Sequence, residues 1–515
     1  MDKDGLLKDF EWISKYAHCY PVNGNDVVVL ESPQCFYQAL SDGILTAKKR
    51  VVMTALYWGT GQLEKSLVDK LMQTLKKKEE KDDKMEVEIL IDYTRGSRKN
   101  LGSSTQMLLP LVKEYKNPAM VKGCSLQVSL YHSPQLRGTL KSFLPDKWNE
   151  IIGLAHMKVF VFDDTVIISG ANLSNDYFTN RQDRYIKFEN SKPLADYFHA
   201  LVKAVSSFSF HLQHDGSVKF SADCPHHPFE GSYDLFISYI RSCLQPLIYP
   251  EFVSTQMQPN CTTSGLVQKS LRFVSWLWNG NYWPDKKQNI FQDMDGASQL
   301  KVLNNKDTFV FPSVQLGFAG IKQDEFITKK ILQSAKSSSQ VCLTSGYFNL
   351  TNDYVDIITK SMAKFDIYVA SPEANGFLNA HGLPGYIPSM YVYLTKKFYD
   401  RLQNDRRNES VKLWEYIKPG WTYHAKGMWF YDQHKTGPFL TMIGSPNFGS
   451  RSVQRDLEAQ VTVITSNKNL MKQLHMEKSR IVDFSQPIVK ETFVQPRYNV
   501  PKWVAMISAI IRHYF

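Results

Sequence analysis

The chain has 515 residues, of which 43% are hydrophobic and 22% are charged, a composition typical of two or three globular domains with large cores. Its net charge of +11 indicates an anionic partner, whether nucleic acid, an anionic membrane surface or small phosphorylated substrates. The sequence holds no stretch of eighteen or more apolar residues, which excludes a membrane-spanning helix and leaves only peripheral membrane contact.

The seven cysteines are scattered, odd in number and without a Cys-x-x-Cys pair, which argues against a disulfide framework. The sequence Cys224-Pro225-His226-His227 is the only metal-like cluster, and we interpret it as a loop because no distant partner pair accompanies it. We therefore expect no metal site and no required cofactor. The polar first residues show no secretory or mitochondrial targeting signal.

Runs rich in β-branched and aromatic residues predict two series of strands separated by helical segments. The first series comprises residues 51–58, 87–93, 126–131 and 166–169, and the second comprises 341–348, 365–370, 390–394 and 440–443. Helical periodicity recurs between them, for example at 63–75 and 324–335. Alternating strands and helices indicate an α/β fold, and the repeated order indicates two tandem domains built on mixed sheets.

We expect a first domain at residues 1–211, a connector or insertion at 212–306, a second domain at 307–500 and a carboxyl-terminal helix at 501–515. Periodicity weakens in the connector, where residues 273–284 concentrate aromatic side chains around an Asn-Gly turn. These rings suit either a lipid headgroup interface or burial against one of the domains.

The last segment is amphipathic. If it is helical, a single stripe carries five large apolar or aromatic side chains, with the basic Lys502, Arg512 and His513 at its flanks. The stripe consists of Trp503, Ile507, Ile510, Ile511 and Tyr514. Such a helix either lies in a membrane surface or packs on a domain, since both produce the same pattern.

Each half contains a His-x-Lys motif, formed by His156 and Lys158 in the first and by His424 and Lys426 in the second. A neutral imidazole can attack phosphorus or shuttle a proton near neutral pH without a metal. A lysine two residues along a strand lies on the same face, so its ammonium can hold a phosphate oxygen. The sequence thus predicts a phosphoryl-transfer half-site carried twice. Asp163 is a further candidate, although its position also suits a turn-former.

Each motif is followed by an asparagine and, eleven residues later, by a carboxylate: Asn172 with Asp183, and Asn447 with Glu458. A carboxylate hydrogen-bonded to a ring N–H fixes the tautomer of an imidazole. We assign Asp183 to the first histidine and Glu458 to the second. A single His-x-Lys would more often be an ordinary strand edge, whereas the matched second copy favours duplication of a catalytic half-site.

The paired motifs resemble those of the phospholipase D superfamily and, within it, the eukaryotic phosphatidylglycerophosphate synthases. Residues 156–185, 346–351, 370–377 and 443–460 carry this resemblance, which extends from about residue 25 to the end. It implies two phospholipase D-like domains related by pseudo-two-fold symmetry, with both motifs at one shared active site. In the second motif Tyr431 stands where the superfamily has aspartate, which suggests that the second half-site is the assisting one.

The resemblance also implies a reaction. A phosphatidyl group would pass from CDP-diacylglycerol to sn-glycerol 3-phosphate, as the first step of phosphatidylglycerol and cardiolipin synthesis, at the surface of the mitochondrial inner membrane. His156 would attack the lipid phosphorus and release CMP, and His424 would deprotonate the acceptor hydroxyl. A phospholipase D-type phosphodiesterase or nuclease is the alternative, but the amphipathic carboxyl end favours lipid over nucleic acid.

Three cations follow the second predicted strand: Arg95, Arg98 and Lys99. Guanidinium forks match phosphate oxygens, so these residues are candidates for holding the glycerol phosphate or the CMP phosphate. The competing interpretation is a solvated basic loop. The lysines and asparagines of the two motifs are expected to stabilise the charge that develops at phosphorus.

Overall fold

The computed structural model describes residues 9–98, 102–115, 123–138, 152–250, 306–378, 380, 382–433 and 435–512. Two large mixed sheets, flanked by helices, dominate this part of the chain. The strands are β1 (Tyr20–Val22), β2 (Val27–Val29), β3 (Arg50–Thr54), β4 (Met85–Asp92), β5 (Cys124–Tyr131), β6 (Val159–Phe162), β7 (Thr165–Ser169), β8 (Arg181–Gln182), β9 (Tyr185–Phe188), β10 (Phe210–Leu212), β11 (Val218–Phe220), β12 (Thr308–Leu316), β13 (Ile321–Lys322), β14 (Ser339–Ser345), β15 (Lys364–Ala370), β16 (Val411–Tyr416), β17 (Thr422–Tyr423), β18 (Lys426–Asp432), β19 (Leu440–Gly444), β20 (Glu458–Thr465) and β21 (Ser485–Pro487).

The first sheet has the order β11-β10-β5-β4-β3-β6-β7-β9-β2, and the second has the order β1-β12-β20-β19-β18-β14-β15-β16-β21 with β13 beside β12. The parallel strands β3, β4 and β5 correspond to β14, β15 and β16. The antiparallel strands β6, β7 and β9 correspond to β18, β19 and β20. This matched topology confirms the predicted α/β fold with two tandem halves.

The helices cover both faces of the sheets, which is why strands such as β6 and β20 are buried along their whole length. They are α1 (Pro33–Thr46), α2 (Gln62–Glu80), α3 (Tyr93–Gly96), α4 (Ser104–Glu114), α5 (Asn175–Thr179), α6 (Lys192–Ser207), α7 (Tyr233–Ile248), α8 (Gln323–Gln333), α9 (Asn352–Lys360), α10 (Ile387–Asn404), α11 (Ser450–Gln454), α12 (Lys468–Val482) and α13 (Lys502–Ile511). No helix within the described ranges is both long and apolar enough to cross a membrane.

The two halves share a core and exchange segments. One cluster of buried apolar side chains includes Val161 and Ile168 from the first sheet together with Trp429 and Val461 from the second. The amino-terminal strand β1 pairs with β12 at the edge of the second sheet, although the chain then returns to build the first. The described part of the connector contributes α7, which packs on α6. Residues 273–284 lie outside the described residues.

One predicted strand is wrong. Residues 390–394 belong to helix α10, and the third strand of the second half is β16. The run is rich in aromatic and β-branched residues, which favours a strand locally. However, Met390, Leu394, Phe398 and Leu402 are buried at intervals of four residues, and this pattern forms one face of a helix that packs on the core.

The carboxyl-terminal helix α13 forms as predicted, but its apolar side chains divide between two surroundings. Val504 and Ser508 are buried where α13 packs on α10. Met506 and Ile510 are 65% and 71% exposed. Three members of the predicted stripe, Trp503, Ile507 and Ile510, are 40%, 38% and 71% exposed and lie away from the buried Val504 and Ser508. Tyr514 lies outside the described residues.

Candidate active site

Each histidine of the two motifs stands where a segment of one half pairs with a segment of the other. The backbone N–H of His156 donates to the carbonyl of Leu457 at 2.8 Å, and that of His424 donates to the carbonyl of Gln182 at 2.8 Å. The second contact continues the pairing of β8 with β17. The halves therefore cross at both histidines, and both line the same cavity.

This crossing reverses the predicted pairing of the carboxylates. Nδ1 of His156 lies 2.9 Å from Oε2 of Glu458, and Nδ1 of His424 lies 2.7 Å from Oδ2 of Asp183. The assignment of Asp183 to the first histidine and of Glu458 to the second is wrong, because each carboxylate follows the segment that pairs with the opposite histidine. A carboxylate at Nδ1 fixes the proton there and leaves Nε2 as the reactive nitrogen.

Arg184 holds the crossing segment in place. Its guanidinium is buried, lies 3.8 Å from the centre of the Trp429 ring and donates to Glu477 at 2.9 Å. It also donates to the carbonyl of Met442 at 2.8 Å. Burying a guanidinium costs free energy, and hydrogen bonds to its donors offset that cost. Here the partners all belong to the second half, so the neighbouring Asp183 is carried to the histidine across the interface.

The lysines lie under the histidines. Nζ of Lys158 donates to the carbonyl of His156 at 2.6 Å, and Nζ of Lys426 donates to the carbonyl of His424 at 2.8 Å. Burial lowers the pKa of Lys158 to about 7 and that of Lys426 to about 8. An anionic phosphate between them would favour the charged form of both ammonium groups.

Burial and the neighbouring lysines lower the pKa of both His156 and His424 well below the usual histidine value. Burial also raises the pKa of Asp183 to about 6 and raises that of Glu458. All four shifts have the same main cause, since charge is costly in a site with little solvent. Neutral imidazoles at physiological pH are competent to act as a nucleophile or a base.

The two asparagines differ in their contacts. Oδ1 of Asn172 accepts the N–H of Leu56 at 3.1 Å, and its amide donates to the hydroxyl of Tyr177 at 3.1 Å. Asn447 lines the cavity, and its Oδ1 is buried without a hydrogen-bond partner among the described residues. Both asparagines line the cavity, but the amide of Asn172 is held by Tyr177, whereas no such contact holds the Oδ1 of Asn447 among the described residues.

The reactive nitrogens of the two histidines also differ. Nε2 of His424 lies 3.2 Å from the hydroxyl of Tyr177 and 3.0 Å from Nζ of Lys426. Nε2 of His156 has no hydrogen bond to any described residue, and the ring faces the cavity. The position that matches Tyr177, five residues after the asparagine, is Ser452 in the second half. A small side chain there leaves the nitrogen of His156 open.

Asp163 does not belong to the site. It lies in the turn between β6 and β7 with a positive φ of 52°, and its carboxylate accepts the backbone N–H groups of Lys48, Lys49 and Arg50. Its prediction as a catalytic residue is wrong, and the turn-forming alternative holds. The carboxylate fixes the loop that leads into β3, which lies two strands from β7 in the first sheet.

Two of the three predicted phosphate-binding cations line the cavity. Arg95 lies in α3, directly after β4, with its guanidinium 4.6 Å from the centre of the Tyr57 ring, and Arg98 follows three residues later. Lys99 lies outside the described residues. The interpretation of this segment as a solvated loop is therefore wrong for the two arginines, and their role in binding phosphate remains a prediction.

Sequence reasoning missed several cavity residues, among them Arg181, Tyr347, Arg451 and Asp456. Arg181 and Asp456 occupy matched positions, each nine residues after the asparagine of its motif. The repeat itself could have singled them out, because opposite charges at matched positions mark a functional difference between duplicated sites. Asp456 also groups with His156 and Glu458, their ligand-type atoms within 4.8 Å of one another, and the expected absence of a metal stays a prediction.

The cavity has a volume of about 690 Å³ and two kinds of wall. The histidines, asparagines and arginines form the polar end. Phe377, Met390, Trp503 and Ile507 belong to the apolar wall, which is built mainly from α10 and α13. A polar floor beneath an apolar wall suits a ligand with a phosphate headgroup and a hydrocarbon tail.

Comparison with known proteins identifies the family. The Gallus gallus mitochondrial CDP-diacylglycerol–glycerol-3-phosphate 3-phosphatidyltransferase is 40% identical over 508 residues, which cover 98% of this chain and 86% of that protein. The Homo sapiens protein of the same name is 39% identical with the same coverage. The Saccharomyces cerevisiae CDP-diacylglycerol–glycerol-3-phosphate 3-phosphatidyltransferase is 30% identical over 96% of this chain and 89% of its own. The chain belongs to this phosphatidyltransferase family. No protein-family model matches it.

A solved structure shares the fold. The crystal structure of phosphatidylserine synthase from Haemophilus influenzae superposes with a TM-score of 0.66 at 17% sequence identity, covering 99% of this chain and 100% of that one. The arrangement of two halves is thus found in another chain of very different sequence.

Proposed function

We propose that the chain transfers the phosphatidyl group of CDP-diacylglycerol to sn-glycerol 3-phosphate, giving phosphatidylglycerophosphate and CMP. Family membership supports the reaction. The observation that carries it in the structure is the pair of His–carboxylate contacts, formed across the interface and directed into one cavity with a polar and an apolar end. The vertebrate relatives are named mitochondrial, which supports action at the surface of the mitochondrial inner membrane.

His156 is the nucleophile of the first step. Its Nε2 is open to the cavity and its Nδ1 is held by Glu458, so the lone pair is directed at an incoming phosphorus. The N–P bond forms as the P–O bond to CMP breaks, and the electron pair leaves with the CMP phosphate. Because the second pKa of a phosphate monoester is about 6, the CMP leaving group needs little protonation. Lys158 and Lys426 stabilise the charge on the phosphoryl oxygens.

His424 is the base of the second step. The primary hydroxyl of the acceptor replaces one of the present contacts at Nε2 and gives its proton to the ring. Its oxygen then forms the new O–P bond, the N–P bond breaks, and His156 is restored as a neutral imidazole. Asp183 stabilises the imidazolium of His424 while the proton resides there.

The lipid substrate requires contact with a membrane, because a diacyl lipid has a negligible free concentration in water. The exposed Met506 and Ile510 of α13 lie on the same helix as Trp503 and Ile507 of the apolar cavity wall. We infer that α13 rests on an anionic membrane through its exposed face, while its inner face receives the acyl chains. Lys502 at the start of the helix adds attraction to anionic headgroups.

Product analysis tests the reaction. The purified chain, given CDP-diacylglycerol in detergent micelles and sn-glycerol 3-phosphate, is expected to form phosphatidylglycerophosphate and CMP in equal amounts, measured by liquid chromatography with mass spectrometry. The double substitution His156→Ala, His424→Ala is the matched control. Formation of phosphatidic acid alone, or cleavage of single-stranded DNA at a comparable rate, would instead favour the phosphodiesterase or nuclease alternative.

Vesicle binding tests the membrane contact. The double substitution Met506→Glu, Ile510→Glu alters the exposed face and spares the cavity wall, unlike a change at Trp503, whose ring packs on Tyr386. Sedimentation with cardiolipin-containing vesicles should fall by about tenfold or more, and activity should fall more on vesicles than on micelles. Met362→Glu, at an equally exposed apolar residue, is the control. Unchanged binding would assign the membrane contact to another surface.

A further inference from the structure

We infer that Arg181 binds the phosphate of the acceptor and thereby selects a phosphorylated polyol over a neutral polyol or water. This inference rests on the proposed function and adds the residue that recognises the second substrate. It concerns a side chain that lies outside both His-x-Lys motifs and outside the basic segment at 95–99.

The position of Arg181 relates it to the base rather than to the nucleophile. Its strand β8 pairs in parallel with β17, which leads directly into His424. Its guanidinium lies 4.5 Å from the centre of the Tyr177 ring, and the hydroxyl of that tyrosine contacts Nε2 of His424. A molecule bound to Arg181 therefore lies beside the nitrogen that accepts the proton of the acceptor hydroxyl.

The guanidinium retains donors for a ligand. Nε donates to Oγ1 of Thr422 at 2.9 Å, and Nη2 donates to Asp176 at 3.0 Å. Among the described residues no other hydrogen bond satisfies the group, so three of its five N–H donors remain, including both on Nη1. The side chain is only 11% exposed, and it lines the cavity. A buried guanidinium with unused donors is suited to a planar, bidentate contact with phosphate.

The residues around the Arg181 guanidinium leave space for a ligand. Gly376 faces the guanidinium, and a Cβ at that position would lie 3.3 Å from both Nη2 of Arg181 and the hydroxyl of Tyr347. A larger residue would crowd the space in which a phosphate would sit. Asp176, the carboxylate that Arg181 contacts among the described residues, is 57% exposed, so solvent screens its charge and the guanidinium keeps its attraction for an anion.

The other half-site lacks this feature. The matched residue is Asp456, which accepts the N–H of Leu154 at 2.9 Å and pairs with Arg451 at 3.0 Å. A carboxylate beside His156 is unsuited to holding a second anion. In a double displacement the leaving CMP and the incoming hydroxyl both occupy the side of phosphorus opposite the nucleophile, which is the side of His424. The acceptor phosphate therefore falls on the half-site that carries Arg181.

The test compares two acceptors in one enzyme. Glycerol lacks the phosphate, so the ratio of kcat/KM for sn-glycerol 3-phosphate to that for glycerol isolates recognition of the phosphate from any effect on the first step. In Arg181→Ala this ratio should fall about 10- to 100-fold, the range expected when hydrogen bonds to a charged group are lost. Arg181→Lys keeps the charge but not the forked geometry of the guanidinium, so its ratio should lie between those of Arg181→Ala and the parent.

A matched control variant and an assay of the first step accompany this comparison of acceptors. Arg480→Ala removes an ion pair between the halves, to Glu31 at 3.4 Å, outside the cavity, and should leave the ratio unchanged. Exchange of labelled CMP into CDP-diacylglycerol, without acceptor, reports whether each variant retains a working first step. Parent enzyme that makes no phosphatidylglycerophosphate would overturn the proposed function. Parent enzyme that makes it, with the same acceptor ratio in both Arg181 variants, would overturn the role of Arg181.

Discussion

The two half-sites are alike in their reacting groups and unlike in what surrounds them. Each has a histidine, a buried carboxylate on Nδ1 and a lysine that donates to the carbonyl of the histidine. At the position five residues after the asparagine, one half has Tyr177 and the other Ser452. At the position nine residues after it, one half has Arg181 and the other Asp456.

We propose that these differences give the two histidines different catalytic roles. Tyr177 covers Nε2 of His424, and Ser452 leaves Nε2 of His156 open. Arg181 offers unused donors to an anion beside His424, whereas Asp456 is already paired. Duplication supplies two similar imidazoles, and we propose that the neighbouring residues make His156 the nucleophile and His424 the base for a phosphorylated acceptor. Variants that exchange or remove these neighbours can break or sharpen this distinction.

The largest expected effect separates the two histidines. His156→Ala should abolish all turnover, including hydrolysis of CDP-diacylglycerol, with a loss of at least about 10⁴-fold. His424→Ala should also prevent transfer but retain a small burst of CMP, because the first leaving group needs little protonation. Rapid-quench measurement of CMP distinguishes them. Bursts of equal amplitude in both variants would contradict the assignment of the nucleophile.

The next effect concerns the exchanged carboxylates. Glu458→Gln should impair the first step, measured as CMP release, because it removes the acceptor of the Nδ1–H of His156. Asp183→Asn should impair the second step and spare most of the burst. We expect losses of about 10² to 10⁴-fold, as for the loss of an orienting carboxylate elsewhere. If each change affected the step of the histidine in its own half, the crossed pairing would be refuted.

The pH profile of kcat/KM for CDP-diacylglycerol reports the free enzyme, and that for sn-glycerol 3-phosphate reports the second step. Because the histidine pKa values are lowered, the acid limb of the profile for sn-glycerol 3-phosphate should lie near pH 6 and reflect protonation of Asp183 rather than of an imidazole. The alkaline limb of the profile for CDP-diacylglycerol should lie between about 7 and 8 and reflect loss of charge from Lys158 and Lys426. Activity should fall about tenfold for each pH unit beyond either limb.

Two variants check the assignments of the limbs. Asp183→Asn should remove the acid limb from the residual activity. Lys158→Arg should move the alkaline limb upward, because a guanidinium stays charged throughout this range. An acid limb that persists in Asp183→Asn would instead be assigned to an imidazole.

The smallest expected effect tests the contact between the hydroxyl of Tyr177 and Nε2 of His424. Tyr177→Phe removes the hydroxyl that bridges Asn172 to the ring while keeping the aromatic contact with Arg181. Transfer should fall about fivefold, consistent with the loss of one hydrogen bond of about 1 kcal/mol, and the CMP burst should not change. A reduced burst would place Tyr177 in the first step.

The repeat in the sequence predicted the two halves, most of the strands around each motif and the four central His and Lys residues. It could not predict which carboxylate serves which histidine, because the offset of eleven residues is the same in both halves. The crossing depends on long-range contacts such as those of Arg184 with Glu477 and Trp429, which no local pattern encodes. The wrongly predicted strand has a similar origin, since residues 390–394 favour a strand locally and adopt a helix through packing on the core.

The central claim is that His156 alone carries the phosphatidyl group. It is tested by trapping the enzyme with CDP-diacylglycerol in the absence of acceptor. The Asp183→Asn variant, in which the second step is slow, is quenched in alkaline denaturant, digested and mapped by mass spectrometry. The account predicts a phosphatidyl adduct on the peptide that contains His156 and none on the peptide that contains His424. An adduct on His424, or CMP release equal to the amount of enzyme without an adduct on either histidine, would contradict it.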